Sequence, residues 1–411
     1  MESKSIQSLV PELASRELTT YKNRGAVSVV KQRSYQRFLP TTRTFQLGDE
    51  ASWDINTGSG WIQPQNSVLN LKIDIDYDAA TTALFLGKDQ SITNIISKIE
   101  ITNKGESYEN VSNVNLLSSI VQLNTKSSDY LYYGGGTVAL FDSSTDGTAL
   151  SDATTYYASI PLSAISGFFG GKTAIPSLIG DGMNIKITFA TGSQSFVGTD
   201  GSASATITPE IFLDIQSLVG EANKFYRKIS ASKEGISYQY KRYTHKSNTM
   251  AGTDTLDSTI STGLTNAVDC LTCVRLQANV NDEEKNSLLA EDIGDIKYQY
   301  KLANNYFPSR PIQTPSMAYN MSLKTFGKLQ DTKNPGDVSY SKFTTGGRGL
   351  FAVDLNRSSV YGSSGMNLRS GAVLDLSLEL PGNVDTLRVD SFTGYVANIV
   401  GRVDGSVKVF K

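Results

Sequence analysis

Apolar and polar residues alternate strictly along several segments of the chain. From Leu69 to Tyr77 every odd position is apolar and every even position is polar, and the same period of two recurs over residues 183–189, 296–302 and 374–380. Because successive side chains of a strand point to opposite faces, each segment predicts a strand with one buried and one solvated face. Such strands are typical of antiparallel sheets packed as sandwiches or barrels.

Weaker patterns predict further strands. They lie at residues 41–47, 95–102, 155–161, 206–216, 236–244, 268–279, 349–355 and 386–400. Near the end of the chain, Asp404-Gly405 separates two apolar runs, which predicts a hairpin closed by a type I′ turn. Helical patterns are fewer, and we expect helices at residues 109–123, 282–291 and 6–22.

The predicted strands fall into two sets, at about 40–217 and about 225–411, separated by a polar and basic stretch. We therefore predict an all-β fold of two tandem sandwiches with a few short helices, each sandwich an eight-stranded antiparallel jelly roll. Residues 1–37 are expected to form a partly helical N-terminal arm and residues 38–220 the first jelly roll. Residues 221–411 would form the second jelly roll, including the basic connector.

The composition argues against catalysis. The 411 residues include 38 basic and 40 acidic side chains, so the net charge of −2 excludes a globally basic nucleic-acid coat. His245 is the only histidine, and the only cysteines, Cys270 and Cys273, lie in a predicted strand where positions i and i+3 face opposite ways. We predict no catalytic residues, no cofactor and no metal site.

The sequence also predicts where the protein is found. The first residues lack the apolar core of a signal peptide, and no run of about 18 apolar residues occurs. We expect a protein that is neither secreted nor anchored by a spanning helix.

A basic cluster with interleaved aromatic residues occupies residues 224–246. Seven basic side chains against Glu234 give it a net charge of +6. Such a segment is able to stack on and neutralise single-stranded nucleic acid. Alternatively it forms a solvated strand pair in which Tyr238 and Tyr240, spaced by two, pack inward. A milder cluster, with net charge +4, occupies residues 1–38.

Three stretches of the chain resemble one family. They are Ile160-Pro161-Leu162 with Gly167-Phe168-Phe169, Ile175–Gly180 and the strand 183–189; Ile211–Asp214 with the polar run to Phe225-Tyr226-Arg227; and Ser391–Ala397. They resemble, respectively, the F-to-G region, the end of the first roll with its connector, and the last long strand of double jelly-roll major capsid proteins. These proteins belong to tailless icosahedral DNA viruses, including large eukaryotic DNA viruses and virophages.

The resemblance implies a structural role in a virion. Such a protein forms a trimeric, pseudo-hexagonal capsomer of an icosahedral shell, is assembled inside the host cell, and contacts neighbouring capsomers, minor capsid proteins and vertex proteins. The N-terminal arm and the connector would face the interior, near a membrane or the genome. The expected basic contacts there are Lys224, Arg227, Lys228, Lys241 and Arg242.

Three other functions remain open from the sequence. A minor capsid or vertex protein would favour one jelly roll with an inserted domain. A carbohydrate-binding or adhesion module would use the loops rich in Gly, Ser and Thr. A nucleic-acid-binding protein would be built around residues 224–246.

Overall fold

The computed structural model describes most of the chain from Val29 onward. The described residues are 29–77, 84–85, 92–126, 149–150, 154–195, 197–198, 203–232, 235–282, 285, 294–302, 305–331, 336, 338–356, 365–368, 372–383 and 385–410. The helix predicted at 6–22 lies outside these residues, as does nearly all of the helix predicted at 282–291.

The first half of the chain forms a sandwich of two antiparallel sheets. Its strands are β1 (Val30–Phe38), β2 (Phe45–Gln46), β3 (Glu50–Ile55), β4 (Trp61–Tyr77), β5 (Leu84–Phe85), β6 (Ile96–Asn103), β7 (Glu106–Ser112), β8 (Ala149–Leu150), β9 (Thr154–Pro161), β10 (Met183–Phe189), β11 (Val197–Gly198) and β12 (Ala203–Leu218). Sheet I has the order β1-β12-β4-β9, with β2 also paired to β12, and sheet II has the order β3-β10-β6-β7. A small third sheet has the order β11-β5-β8.

The second half forms another sandwich. Its strands are β13 (Ile236–Ala251), β14 (Thr255–Thr262), β15 (Ala267–Leu276), β16 (Lys297–Leu302), β17 (Asn305–Ile312), β18 (Phe351–Asp354), β19 (Val373–Glu379), β20 (Thr386–Gly401) and β21 (Val407–Phe410). Sheet III has the order β13-β20-β15-β18, with β21 also paired to β20, and sheet IV has the order β14-β19-β16-β17.

The two sandwiches repeat one topology. If β1 and β2 are counted as one interrupted strand and the short β5, β8, β11 and β21 are set aside, each half has eight strands. Numbered along the chain, these strands lie in the order 1-8-3-6 in one sheet and 2-7-4-5 in the other. Two four-stranded antiparallel sheets connected in this way form a jelly roll. The predicted all-β fold of two tandem jelly rolls is confirmed.

Helices occupy the connections. They are α1 (Val114–Thr125), α2 (Leu162–Ile165), α3 (Ser177–Gly180), α4 (Gly192–Ser195), α5 (Gly220–Ser230), α6 (Pro315–Thr325) and α7 (Tyr340–Thr345), with 3₁₀ turns at Ile92–Ile95, Phe168–Gly170 and Ala278–Asn281. Helix α5 joins the two rolls. Helices α1 and α6 follow the fifth strand of the first and second roll respectively.

Several predicted boundaries were wrong. Residues 109–112 belong to β7 and not to the predicted helix, because Asn113, at φ +53°, turns the chain from the strand into α1. The strand predicted at 268–279 ends at Leu276, before a 3₁₀ turn, and the strand predicted at 41–47 shrinks to Phe45–Gln46. Likewise β1 pairs with β12 from Val30 onward, so residues 30–37 lie in sheet I and not in an arm.

The C-terminal hairpin forms, but with a different turn from the one predicted. Gly401 pairs with Val407, and Gly405 has the only positive φ of residues 402–406, +80°. The Gly405 amide donates to the Arg402 carbonyl oxygen at 3.0 Å, and the Arg402 amide to the Ser406 carbonyl oxygen at 3.0 Å. This is a three-residue loop in which a glycine in the left-handed region follows a turn, not a two-residue type I′ turn.

In the part of the chain that is described, none of the helices has the length and apolar character needed to cross a membrane.

Candidate functional site: the junction of the rolls and the basic end

An aromatic cluster joins the two rolls. Phe168, fully buried, comes from the first roll and packs against Tyr108 of β7 with ring centroids 5.4 Å apart. From the second roll, Tyr238 and Tyr240 of β13 each place a ring centroid 5.3 Å from that of Phe168. The Tyr238 hydroxyl donates to the Phe168 carbonyl oxygen at 2.5 Å, and the Tyr240 hydroxyl to that of Tyr108. The two tyrosines therefore pack inward, as one interpretation of their spacing proposed.

A buried carboxylate holds the turn that carries Phe168. Glu109 of β7 accepts hydrogen bonds from the Gly167 amide at 2.8 Å, the Phe168 amide at 3.1 Å and the Ser166 hydroxyl. Burial raises the pKa of Glu109 above its usual value, although these hydrogen bonds and the nearby charge of Arg242 oppose the rise. The carboxylate thus shapes the surface that the first roll presents to β13.

Glycine is needed where the two backbones approach most closely. A Cβ atom on Gly167 would lie 1.9 Å from the carbonyl oxygen of Lys241 in β13, and one on Gly171 would lie 2.2 Å from the Tyr238 hydroxyl oxygen. A side chain at position 167 would require movement of the β13 backbone, and one at position 171 would require movement of the Tyr238 side chain. The Gly-Phe-Phe-Gly-Gly run is therefore a packing motif of the junction.

A second polar cluster centres on Asp390 of β20. Its carboxylate oxygens lie 2.8 Å from His245 Nε2, 2.5 Å from Arg275 Nη2 and 3.2 Å from Arg388 Nε. Burial alone would raise the pKa of Asp390, but the hydrogen bond with His245 and the two arginine charges hold that pKa well below its usual range. Asn113 of the first roll reaches the same carboxylate at 3.3 Å. The only histidine of the chain is thus part of the junction.

The five predicted basic contacts separate into two groups. Lys224, Arg227 and Lys228 lie exposed on α5. Lys241 pairs with Asp269 and lies 4.7 Å from the centre of the Tyr243 ring, whereas Arg242 is 4% exposed and donates to the Ser107 carbonyl oxygen at 3.1 Å. Lys241 and Arg242 are thus engaged by groups of this chain, whereas the three α5 side chains are exposed.

The connector helix and the start of the described chain lie at one end of the first roll. Ala222, Phe225 and Tyr226 of α5 pack in a small apolar cluster with Trp61 and Val29. The Val219 amide donates to the Val29 carbonyl oxygen at 2.9 Å. The first described residue therefore lies beside α5, which carries three exposed basic side chains.

The two cysteines are structural. Both are unpaired and buried in β15, and burial raises the pKa of each thiol to about 12. The low thiolate fraction makes both sulfurs poor nucleophiles and poor metal ligands. Across the described ranges, no three His, Cys, Asp or Glu side chains are grouped so as to hold a metal ion.

Sequence reasoning missed Glu109 and Asp390. Glu109 fell inside a predicted helix, and Asp390 was one charge within a long predicted strand. The sequence marked neither residue, because Glu109 stands between Tyr108 and Asn110, and Asp390 between Val389 and Ser391.

The structure is similar to solved capsid structures over nearly its whole length. The PBCV-1 protein VP54, fitted into a reconstruction of the virophage Sputnik, matches with a TM-score of 0.59 at 10% identity, over 95% of this chain and 99% of that chain. The Faustovirus major capsid protein matches with a TM-score of 0.58 at 9% identity, over 92% of each chain. The mavirus major capsid protein matches with a TM-score of 0.54 at 9% identity, over 95% of this chain and 93% of that chain. This chain has the double jelly-roll fold.

By sequence, no protein-family profile and no curated protein matches the chain. In this double jelly roll the similarity to solved structures therefore lies in the path of the backbone.

Proposed function

We propose that this double jelly roll is a structural major capsid protein, which assembles as a trimeric pseudo-hexagonal capsomer of an icosahedral virion shell. The main support is that both rolls, and the connection between them, match major capsid proteins end to end. Its partners would be other copies of itself, neighbouring capsomers, and minor capsid and vertex proteins. It would be made and assembled inside the host cell.

The junction suits this role because buried contacts hold the two rolls against each other. The aromatic packing of Phe168 on Tyr238, the hydrogen bond from Arg242 to Ser107 and the contact of Asn113 with Asp390 all cross from one roll to the other. A closed shell repeats each subunit contact many times, so weak contacts suffice when the subunits keep one shape. The alternative of a minor capsid protein with one roll and an inserted domain fits poorly with two complete rolls of equal topology.

The mass of the purified protein in solution tests the proposal. Three chains of 44.5 kDa give an expected mass of 3 × 44.5 = 133.5 kDa by light scattering at micromolar concentration. Projection images of that species should have a pseudo-hexagonal outline. A monomer at every salt concentration and pH tried would contradict the proposal.

We further propose that the basic end of the molecule faces the interior of the shell and meets phosphate groups there, on lipid headgroups or nucleic acid. Support comes from the three exposed basic side chains of α5, which packs beside Val29 at the start of the described chain, and from the net charge of +4 over residues 1–38 of the sequence. Vesicles with and without anionic lipid, and single-stranded DNA, distinguish the two phosphate sources. Binding should fall steeply with salt.

The matched variants are a triple substitution on α5, Lys224→Ala, Arg227→Ala and Lys228→Ala, and a control at Lys301, an exposed lysine of β16 in the second roll. The triple variant should lose most of the binding, and Lys301→Ala should keep it. Equal binding by both variants would rule out the α5 contacts.

A further inference from the structure

The outer face of sheet III, turned away from sheet IV, is covered by the first roll. Thr272 of β15 faces inward, where its hydroxyl accepts a hydrogen bond at 2.9 Å from Tyr300 of sheet IV. Its neighbours Leu271 and Cys273 therefore face outward, yet they are 0% and 3% exposed. Helix α1 lies against this face at Cys273, where its side chains and residues 347–350 of the second roll line a narrow gap.

The outer face of sheet I, at the equivalent position of the first roll, is much more open. Along β4 the inward Leu69, Leu71 and Ile73 are buried, while the outward side chains between them are half-exposed. On the adjacent β9, Tyr157 is 73% exposed. Outward side chains of β4, β9 and β12 line an open groove of about 400 Å³, among them Asn70, Lys72, Tyr157, Ser159, Thr208 and Glu210.

Helix α6 also has mostly exposed or half-exposed side chains. Helix α1 buries ten of its 12 residues between the two rolls, whereas α6, its counterpart in the second roll, buries only Ala318 and Ser322 of its 11 residues. Ser322 donates to Asn124 at 3.4 Å, so α6 contacts the C-terminal end of α1. Its Met317 is 44% exposed, and the neighbouring Tyr340 of α7 is 47% exposed.

We infer that α6 of one copy packs on the outer face of sheet I of the next copy, as α1 packs on sheet III within the chain. The inference rests on the proposed trimer and names its interface. Each chain then contributes α6 to one neighbour and the outer face of sheet I to the other neighbour, so the contact is head-to-tail. Three copies close a ring of six rolls, in which every helix that follows a fifth strand covers the next roll.

The shared topology of the two rolls indicates what occupies the groove on sheet I. The element that covers sheet III is the helix after the fifth strand of the preceding roll, and the corresponding helix of the second roll is the one left open. A second copy therefore supplies the matching part. If a sugar or an unrelated protein filled the groove, the exposed side of α6 would remain uncovered.

Charge substitutions test the interface. Tyr157→Arg and Met317→Arg change side chains that are exposed in one copy, so each variant should fold normally, which the thermal unfolding midpoint checks. Each buries an unpaired charge in the proposed contact, and we expect trimer affinity to fall at least tenfold. The control Val403→Arg, at a side chain 52% exposed in the C-terminal turn, should remain trimeric.

Cross-linking tests the direction of the contact. A Tyr157→Cys variant and a Met317→Cys variant, each alone with a short bismaleimide, should give no covalent oligomer, because the native cysteines are buried. An equal mixture should give covalent dimers only, and the double variant should give covalent trimers. Covalent dimers from either single variant would overturn the head-to-tail contact.

The two proposals fail differently. If the unsubstituted protein is trimeric, but the arginine variants remain trimeric and the double variant does not cross-link, the interface is wrong and the capsid proposal stands. If the unsubstituted protein is a monomer, both proposals fail.

Discussion

Sheets I and III have the same strand order but different outer faces. Nine consecutive residues of β15, at the centre of sheet III, are buried, whereas β4 in sheet I alternates between buried and half-exposed positions over residues 69–75. The outward side chains are Leu271 and Cys273 in one sheet and Asn70 and Lys72 in the other. One topology thus supports a permanent interface or an open one, and the outward residues decide which.

Charges differ between the two faces as well. Asp390, on sheet III, is fully buried and contacts two arginines and a histidine. Asp74, on sheet I, is half-exposed and pairs with Lys72 at 2.8 Å. A buried carboxylate needs several partners because water cannot solvate it, whereas an exposed ion pair contributes little to stability.

The largest difference is expected from removing an aromatic ring. Phe168→Ala deletes a fully buried side chain of the junction and should lower the free energy of unfolding by about 3–5 kcal/mol. Tyr157→Ala, on the open face of sheet I, should change it by less than about 0.5 kcal/mol. Urea unfolding of the monomeric fraction measures both, and equal losses would remove the distinction between the faces.

Asp390→Asn should have the next largest effect. It removes the buried negative charge that Arg275 and Arg388 contact, and we expect a loss of about 2–3 kcal/mol at pH 7. The control is Asp76→Asn at an exposed position of β4, which should change stability by less than about 0.5 kcal/mol. A similar small change in both variants would show that the Asp390 cluster does not stabilise the junction.

The same carboxylate predicts a pH dependence. Because the pKa of Asp390 is lowered in the folded protein, its ionised form stabilises the fold above the unfolded value of about 4, and this contribution is lost as the pH falls below that value. The stability difference between the unsubstituted protein and Asp390→Asn should therefore be largest near neutral pH and shrink at pH 3. Denaturant titrations at both pH values check this, and a difference that grows on acidification would contradict the sign.

The smallest predicted effect comes from one methyl group. Gly167→Ala places a Cβ atom 1.9 Å from the backbone of β13 and should cost about 1–3 kcal/mol through forced separation of the rolls. Gly170→Ala, three residues away, meets no atom within 4 Å and should be nearly neutral. Comparable losses in both variants would assign the effect to the loss of glycine itself and not to the close approach.

Much of the fold could be predicted because strand patterns are local. Strand β10 was predicted with its observed bounds, and the inward packing of Tyr238 and Tyr240 followed from their spacing. Strand β1 was missed because it is a mostly exposed edge strand whose polar side chains show no alternation. The start of α1 was missed because a left-handed Asn113 is not marked by periodicity.

The candidate site was less predictable. The basic cluster was one run in the sequence, yet the chain carries Lys224, Arg227 and Lys228 to the surface of α5 and Arg242 into the junction. Their predicted contact with a membrane or genome stays a prediction. The groove on sheet I was not foreseen, because polar outward residues of a strand look alike whether they meet water or a partner.

The amino-acid sequence by itself determined that the chain forms two sets of amphipathic strands. Successive side chains of a strand point to opposite faces, so the local alternation of apolar and polar residues is enough to predict them. Only the tertiary structure decided which outward faces are covered and which charges meet. Asp390 contacts Arg275 across 115 residues within the second roll, and Glu109 accepts from an amide 58 residues away within the first roll, so these partners are set by how strands and turns pack in each roll.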